Sequence, residues 1–128
     1  MDERDRKIRM SDADDAALER VRQLCLQLPE TTEVSSWGHP NFRAGKVTFV
    51  TYEWIRGRPS IAFKLGASAV RQQLKRPGFF LTPYGRGLWV SADLSRRVDW
   101  KMIESLIDSS YRLAANQRML RKLGEAIS

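Results

Sequence analysis

The chain has 128 residues, of which 42% are hydrophobic and 29% are charged, as is usual for one globular domain. Its single cysteine, Cys25, excludes an internal disulfide. The sequence also lacks the run of about 20 apolar residues that a membrane-spanning helix needs. We therefore predict a cytoplasmic protein with no membrane partner, built as a single domain over residues 11–128 after a flexible charged arm over residues 1–10.

The net charge of +7 is concentrated in the middle of the chain. Residues 61–97 contain seven basic residues and one acidic residue, whereas residues 1–30 contain six basic and eight acidic residues. A concentrated basic segment suits a polyanion or an acidic partner better than evenly spread charge does. A basic surface that contacts only solvent remains the alternative.

The first predicted element is an amphipathic helix that begins near Ser11 or Asp12 and ends before Pro29. Four residues recur along it at spacings of three and four: Leu18, Val21, Cys25 and Leu28. This spacing predicts one buried stripe. We interpret Cys25, which lies on the stripe, as a small buried residue rather than a reactive thiol.

The middle of the chain has a sequence pattern typical of β-strands, with short β-branched and aromatic runs separated by glycine and proline. The predicted strands are residues 33–37, 41–44, 46–54, 59–65, 78–81 and 87–94. Residues 44–46 and 56–59 predict tight hairpin turns, and residues 67–75 predict a short helix. A long last helix is predicted to follow the cap residue Asp99 and to continue to about Leu123, where Gly124 breaks it.

A series of strands between helices predicts the α+β class. We expect a two-layer sandwich in which an antiparallel sheet of five or six strands carries the N- and C-terminal helices on one face.

No pattern typical of catalysis is present. The sequence has no phosphate loop and no dinucleotide fingerprint, and one cysteine with one histidine does not make a zinc site. A nucleophile at Ser35 or Ser36 with His39 as base would need an orienting group and an oxyanion donor pair, which have no recognisable position. We predict no enzyme activity, no metal and no cofactor, and we interpret His39, between Gly38 and Pro40, as a turn residue.

Binding to a polyanion has more support, because basic residues, mostly arginines, flank the predicted turns, lie in loops, or lie on or just after the predicted short helix. They are Arg43, Lys46, Arg56, Arg58, Arg71, Lys75, Arg76, Arg86, Arg96 and Arg97. Basic hairpin tips are similar to the wings that some proteins lay along DNA. The alternative is a binding site for a protein or a small ligand on the sheet face around the following residues: Trp37, His39, Phe42, Trp89 and Tyr111.

Three stretches resemble the MmcQ/YjbR family of small bacterial proteins: SSWGHPNFRAGKVTFVTY, FLTPYGRGLWVSADL and LIDSSYRLAA. The most specific is W-G-H-P-x-F-R-x-G-K, from Trp37 to Lys46, and Trp89 and the pair Ser110 and Tyr111 add to it. The resemblance covers roughly residues 15–115. It implies a two-layer fold similar to frataxin and CyaY, and DNA binding through a double-wing arrangement. DNA binding is therefore the preferred hypothesis, and the sequence does not indicate the oligomeric state.

Overall fold

The computed structural model describes residues 12–127, so the predicted arm and the cap candidate Ser11 lie outside the described residues. The elements in chain order are α1 (Asp12–Leu26), β1 (Thr31–Ser36), β2 (His39–Ala44), β3 (Val47–Ile55), β4 (Arg58–Lys64), α2 (Ala67–Gln73), β5 (Phe79–Leu81), β6 (Trp89–Asp93), α3 (Trp100–Ala114) and α4 (Gln117–Ile127). The strands form one antiparallel sheet in the order β1-β2-β3-β4-β6-β5. The predicted α+β sandwich is confirmed.

The hydrophobic core lies between the helices and one face of the sheet. Side chains alternate across a strand, so every second residue of the central strands points toward α1 and α3. The fully buried strand residues include Phe42, Val50, Ile61, Phe63 and Val90. Helix α1 contributes the predicted stripe, in which Val21 and Cys25 have no exposed surface. Burial raises the pKa of the Cys25 thiol, which is consistent with a structural role for this residue.

Three consecutive hairpins determine which loops share an end of the sheet. Each has a two-residue turn, since the pairs that close them are Ser36 with His39, Ala44 with Val47, and Ile55 with Arg58. Successive hairpin turns lie at opposite ends of a sheet. The turns 37–38 and 56–57 therefore lie at one end, and the turn 45–46 lies at the other.

The prediction of one long last helix is wrong. Ala115 is extended (φ −72°, ψ 145°), which ends α3, and the Asn116 side chain then accepts a hydrogen bond from the Met119 amide (2.9 Å) at the start of α4. The break lets α4 turn back and bury Met119 and Leu123, which a straight helix would carry away from the core. Within residues 12–127, every helix is too short or too polar to cross a bilayer.

Glu30, in the turn between α1 and β1, attaches α4 to the rest of the domain. Arg118 binds its carboxylate with two hydrogen bonds (2.7 and 3.0 Å), and Lys122 adds a third (3.2 Å). The hydrogen bonds from Arg118 and then Lys122 lower the pKa of Glu30 from 4.5 to about 2. A depressed pKa in the folded state means that the ion pairs stabilise the fold above pH 4.5 and lose this effect as the pH falls toward 2.

Glu30→Gln is therefore expected to be less stable than the wild-type chain near pH 6, and the difference should disappear between pH 4.5 and pH 2. Urea unfolding midpoints of both proteins, measured across this pH range, check the prediction. A difference that stays constant with pH would contradict the ionic role of Glu30.

Candidate functional site

One end of the sheet carries most of the basic side chains predicted to bind DNA. At this end the turn 56–57 joins β3 to β4, and β5 begins beside the end of β6, where Pro77 and Gly78 separate it from the basic pair 75–76. Two more arginines follow β6 at the same end. We call these six residues the basic end: Arg56, Arg58, Lys75, Arg76, Arg96 and Arg97.

Most cations of the basic end have no ionic partner within residues 12–127. Among the described residues, only Arg58 of this group forms an ion pair, with Asp93 (Nη1 to Oδ2, 3.0 Å). The helices differ, because four of their cations lie within 3.2 Å of a carboxylate: Arg22, Arg112, Arg118 and Lys122. The basic end therefore keeps positive charge that the fold itself does not neutralise.

Asp93 holds Arg58 in place. Burial disfavours the ionised form of Asp93, but hydrogen bonds from the Ser95 hydroxyl (2.5 Å) and amide (2.9 Å), together with Arg58, lower its pKa below the ordinary value. Asp93 is therefore ionised near neutral pH. Arg58 is the member of the basic end that is least available to another molecule.

Each of the two hairpin turns at this end has an exposed side chain on a residue with a strained backbone conformation. Trp37 is 95% exposed at φ 57°, and Arg56 is exposed at φ 54°; each precedes a glycine. Asn, Asp or Gly is usual at the first position of such a turn, and a larger residue costs roughly 1–2 kcal/mol. Strain of this kind concentrates at functional positions, so both tips are candidates for contact with a partner.

The other four basic residues predicted to bind DNA lie elsewhere. Lys46 is in the turn at the opposite end of the sheet, and Arg71 is on α2. Arg43 is on β2 with its Nε buried, and Arg86 is exposed in the loop 82–88. These residues do not form one surface with the basic end.

The sheet face away from the helices forms a concave pocket of about 490 Å³. Its base is the polar face of β2 and β3, and the loop 82–88 folds back across the sheet beside it, held by a hydrogen bond between Thr82 and Ser91 (2.8 Å). We call this cavity the open-face pocket. Its lining residues are Ser36, Trp37, His39, Asn41, Thr48, Thr51, Glu53, Tyr84 and Trp89.

A chain of polar contacts crosses the open-face pocket. The Tyr84 hydroxyl donates to Glu53 Oε1 (2.5 Å), and the Thr51 hydroxyl lies 3.0 Å from the phenol oxygen, placed to donate to it. Burial and then the bond to Glu53 raise the pKa of Tyr84, so the phenol stays protonated and keeps its donor. His39 Nε2 lies 3.3 Å from Glu53 Oε2. Glu53 thus connects the loop to β2.

His39 is the first residue of β2 rather than a member of the turn, which consists of Trp37 and Gly38. Its imidazole lines the open-face pocket, and its Nδ1 is buried with no hydrogen-bond partner among residues 12–127. The interpretation of His39 as a turn residue therefore describes its position only in part.

Three of the five residues predicted for the alternative ligand site line this pocket: Trp37, His39 and Trp89. The inclusion of Phe42 and Tyr111 is wrong, because both are fully buried in the core on the helix side of the sheet. Phe42 faces away from the pocket because side chains alternate along β2 and His39 takes the other face.

Tyr111 has a structural role in the described domain. Its ring packs edge-on against Phe49 (centroids 5.6 Å apart, 76° between planes), and its hydroxyl donates to the Pro29 carbonyl oxygen (2.8 Å). These contacts join α3 to the sheet and to the end of α1. Burial raises the pKa of Tyr111, as expected for a phenol enclosed by the core.

The residues that give the pocket its polar character are not among those predicted for it from the sequence, namely Thr51, Glu53 and Tyr84. Thr51 and Glu53 are two residues apart on β3, so strand alternation alone places them on one face. Tyr84 reaches them only because the loop 82–88 returns across the sheet, which no local pattern indicates.

These features define a class of two-layer α+β domain whose helices cover one sheet face and leave the other open beside a basic end. The sequence matches the YjbR family over residues 26–113, and the chain belongs to that family.

Two solved structures share the fold. A protein from Pseudomonas syringae is 18% identical with a TM-score of 0.65, over 75% of this chain and 97% of that chain. A DUF419-domain protein from Deinococcus radiodurans is 15% identical with a TM-score of 0.66, over 84% of this chain and 87% of that chain. No curated protein matches the sequence significantly.

Proposed function

We propose that this protein is a non-enzymatic DNA-binding protein that grips phosphates through its basic end. The observation that carries the proposal is the placement of six basic side chains at one end of the sheet, five of them without an ion pair among the described residues. Arginine forms paired hydrogen bonds with phosphate, and five of the six residues are arginines.

The dimensions of the basic end support a duplex partner. From the turn 37–38 to the start of β5, this end of the sheet, which includes the basic end, extends over between four and five strand spacings, which at about 4.8 Å each is about 20 Å. This length equals about six base pairs of B-form DNA at 3.4 Å each. The exposed ring of Trp37 and the guanidinium of Arg56 then form two tips that approach the same duplex, in agreement with the double-wing arrangement that the family resemblance implies.

A salt titration tests the proposal. If about five phosphates are contacted, the affinity for a labelled 16-base-pair duplex should fall by about 500-fold between 50 and 200 mM salt, because each contact adds about 0.9 to the log–log slope. Fluorescence anisotropy measures both affinities. Polyglutamate of equal charge is the control for a partner that supplies negative charge alone. No duplex binding at 50 mM salt, or equal binding of polyglutamate, would contradict the proposal.

The open-face pocket supports a second candidate function, the binding of a small ligand. Its volume of about 490 Å³ falls within the usual range for ligand sites, and it combines three aromatic side chains with a few polar groups. Saturable binding that is insensitive to salt would distinguish this function from DNA binding. Both functions are compatible with one domain, because the basic end and the polar groups of the pocket use different side chains, and Trp37 is the one residue named in both sites.

A further inference from the structure

The open-face pocket differs in charge from the rest of the molecule. With histidine counted as neutral, Glu53 is the one charged residue among the nine that line it, and none of the nine is lysine or arginine. The whole chain, in contrast, has a net charge of +7. A half-buried carboxylate with no neighbouring lysine or arginine in the lining repels anions, so the pocket is unsuited to the phosphates that the basic end attracts.

Two polar groups of the pocket, the Glu53 carboxylate and the Asn41 amide oxygen, keep free capacity to accept hydrogen bonds. Among the described residues, each oxygen of Glu53 has one polar neighbour, which leaves it a further lone pair. The Asn41 amide donates to the carbonyl oxygens of Ser36 (3.3 Å) and His39 (3.1 Å), so its own oxygen is left as an acceptor toward the pocket residues. A ligand that satisfies these two groups must donate hydrogen bonds to them or carry positive charge.

Three aromatic rings line the pocket together with Glu53. The Tyr84 and Trp89 rings lie 6.3 Å apart at an angle of 57°, and Trp37 adds a third, almost fully exposed ring at the rim. The faces of aromatic rings attract cations, and ring faces beside a carboxylate are the usual arrangement for recognition of an ammonium group.

We infer that the open-face pocket binds a small organic cation, an ammonium group on a compact apolar body. Glu53 supplies the opposite charge, and Trp37, Tyr84 and Trp89 supply the aromatic walls. This inference rests on the second candidate function and is independent of DNA binding.

Two probes of the same shape test the inference. Choline carries the ammonium charge, and 3,3-dimethyl-1-butanol has a carbon atom in place of the nitrogen. Choline is expected to bind at least about tenfold more tightly, because the cation–ring and carboxylate contacts exist only for the charged probe. The readout is the NMR shift of the indole N–H resonances: those of Trp37 and Trp89 should move, while Trp54 and Trp100, which do not line the pocket, should not.

Glu53→Gln retains an acceptor for Tyr84 and is expected to remove the preference for choline. Glu104→Gln, an exposed change of equal charge on α3, should leave it unchanged. Equal binding of the two probes to the wild-type chain would overturn the inference and leave the ligand-binding function intact. If neither probe moves Trp37 or Trp89 at millimolar concentration, both the inference and the second candidate function fail.

Discussion

Simultaneous removal of charge from Arg56, Arg96 and Arg97 is expected to weaken duplex binding by about 500-fold at 0.1 M salt. Each phosphate contact contributes about 0.9 to the slope of log affinity against log salt concentration. Each contact therefore raises the affinity for the duplex about eightfold when the salt concentration falls from about 1 M to 0.1 M. These three residues have no ion pair among the described residues, so their full charge is available to DNA. The variant Arg56→Asn, Arg96→Gln, Arg97→Gln should also flatten the salt slope by about 2.7, as measured by anisotropy at several salt concentrations.

A matched variant removes the same charge from other parts of the surface. Lys46→Gln, Arg71→Gln and Arg86→Asn together also reduce the net charge by three, and Arg86 shares with Arg56 a left-handed backbone (φ 55° and 54°) in front of a glycine. The salt slope of this variant should stay close to that of the wild-type chain. Equal losses in the two variants would mean that net charge, rather than the basic end, determines binding.

Gly85→Ala is expected to cost about 3 kcal/mol of unfolding free energy and to lower the melting temperature by roughly 10 °C. Gly85 has φ 88°, which strains any other residue, and an added Cβ would lie 2.2 Å from Cδ1 of the Trp89 indole. Pairing of β6 with β4 fixes the Trp89 backbone, so the contact is relieved by rotation of the indole, which lines the pocket, or by movement of the loop 82–88. Its movement would separate Tyr84 from Thr51 and Glu53 and open the pocket.

The control lies two residues away in the same loop. Gly87 has a similar φ of 81°, but an added Cβ would meet nothing within 4 Å. Gly87→Ala should therefore cost only the backbone strain, about 1 kcal/mol. Differential scanning calorimetry of both variants checks the difference. If they melt at the same temperature, contact between Gly85 and Trp89 does not hold the loop, and the account of the pocket wall is wrong.

The local patterns of the sequence predict much of the fold. The spacing of Val21 and Cys25 predicts the buried face of α1, and the glycines of the turns 45–46 and 56–57 predict the hairpins. The prediction of one long last helix is wrong because the apolar spacing of the sequence continues through the break between Ala114 and Gln117. Asn116 indicates the break, since asparagine is a common N-cap residue and its side chain caps α4. Met119 and Leu123 of α4 then pack back onto the core.

The candidate sites were less predictable, because they depend on which residues the sheet places together. Alternation along β2 places His39 and Phe42 on opposite faces of the sheet, and their spacing of three residues in the sequence already indicates this. Alternation along β3 is interrupted by an irregularity opposite the step from Phe42 to Arg43, so a simple count from Val47 assigns the wrong face to Thr51. The contact of Tyr84 with Glu53 spans 31 residues and follows only from the complete fold.

If the basic end is the DNA-binding surface, its backbone amides should respond to added duplex, and NMR mapping detects this response. Unlabelled duplex is titrated into the ¹⁵N-labelled protein at 50 mM salt, and shifts of backbone amides are followed. The account predicts that the largest shifts occur in the turns 37–38 and 56–57 and in residues 95–97, while the turn 45–46 at the opposite end is unaffected. Shifts confined to the opposite end, or no shifts where duplex is in excess, would contradict it.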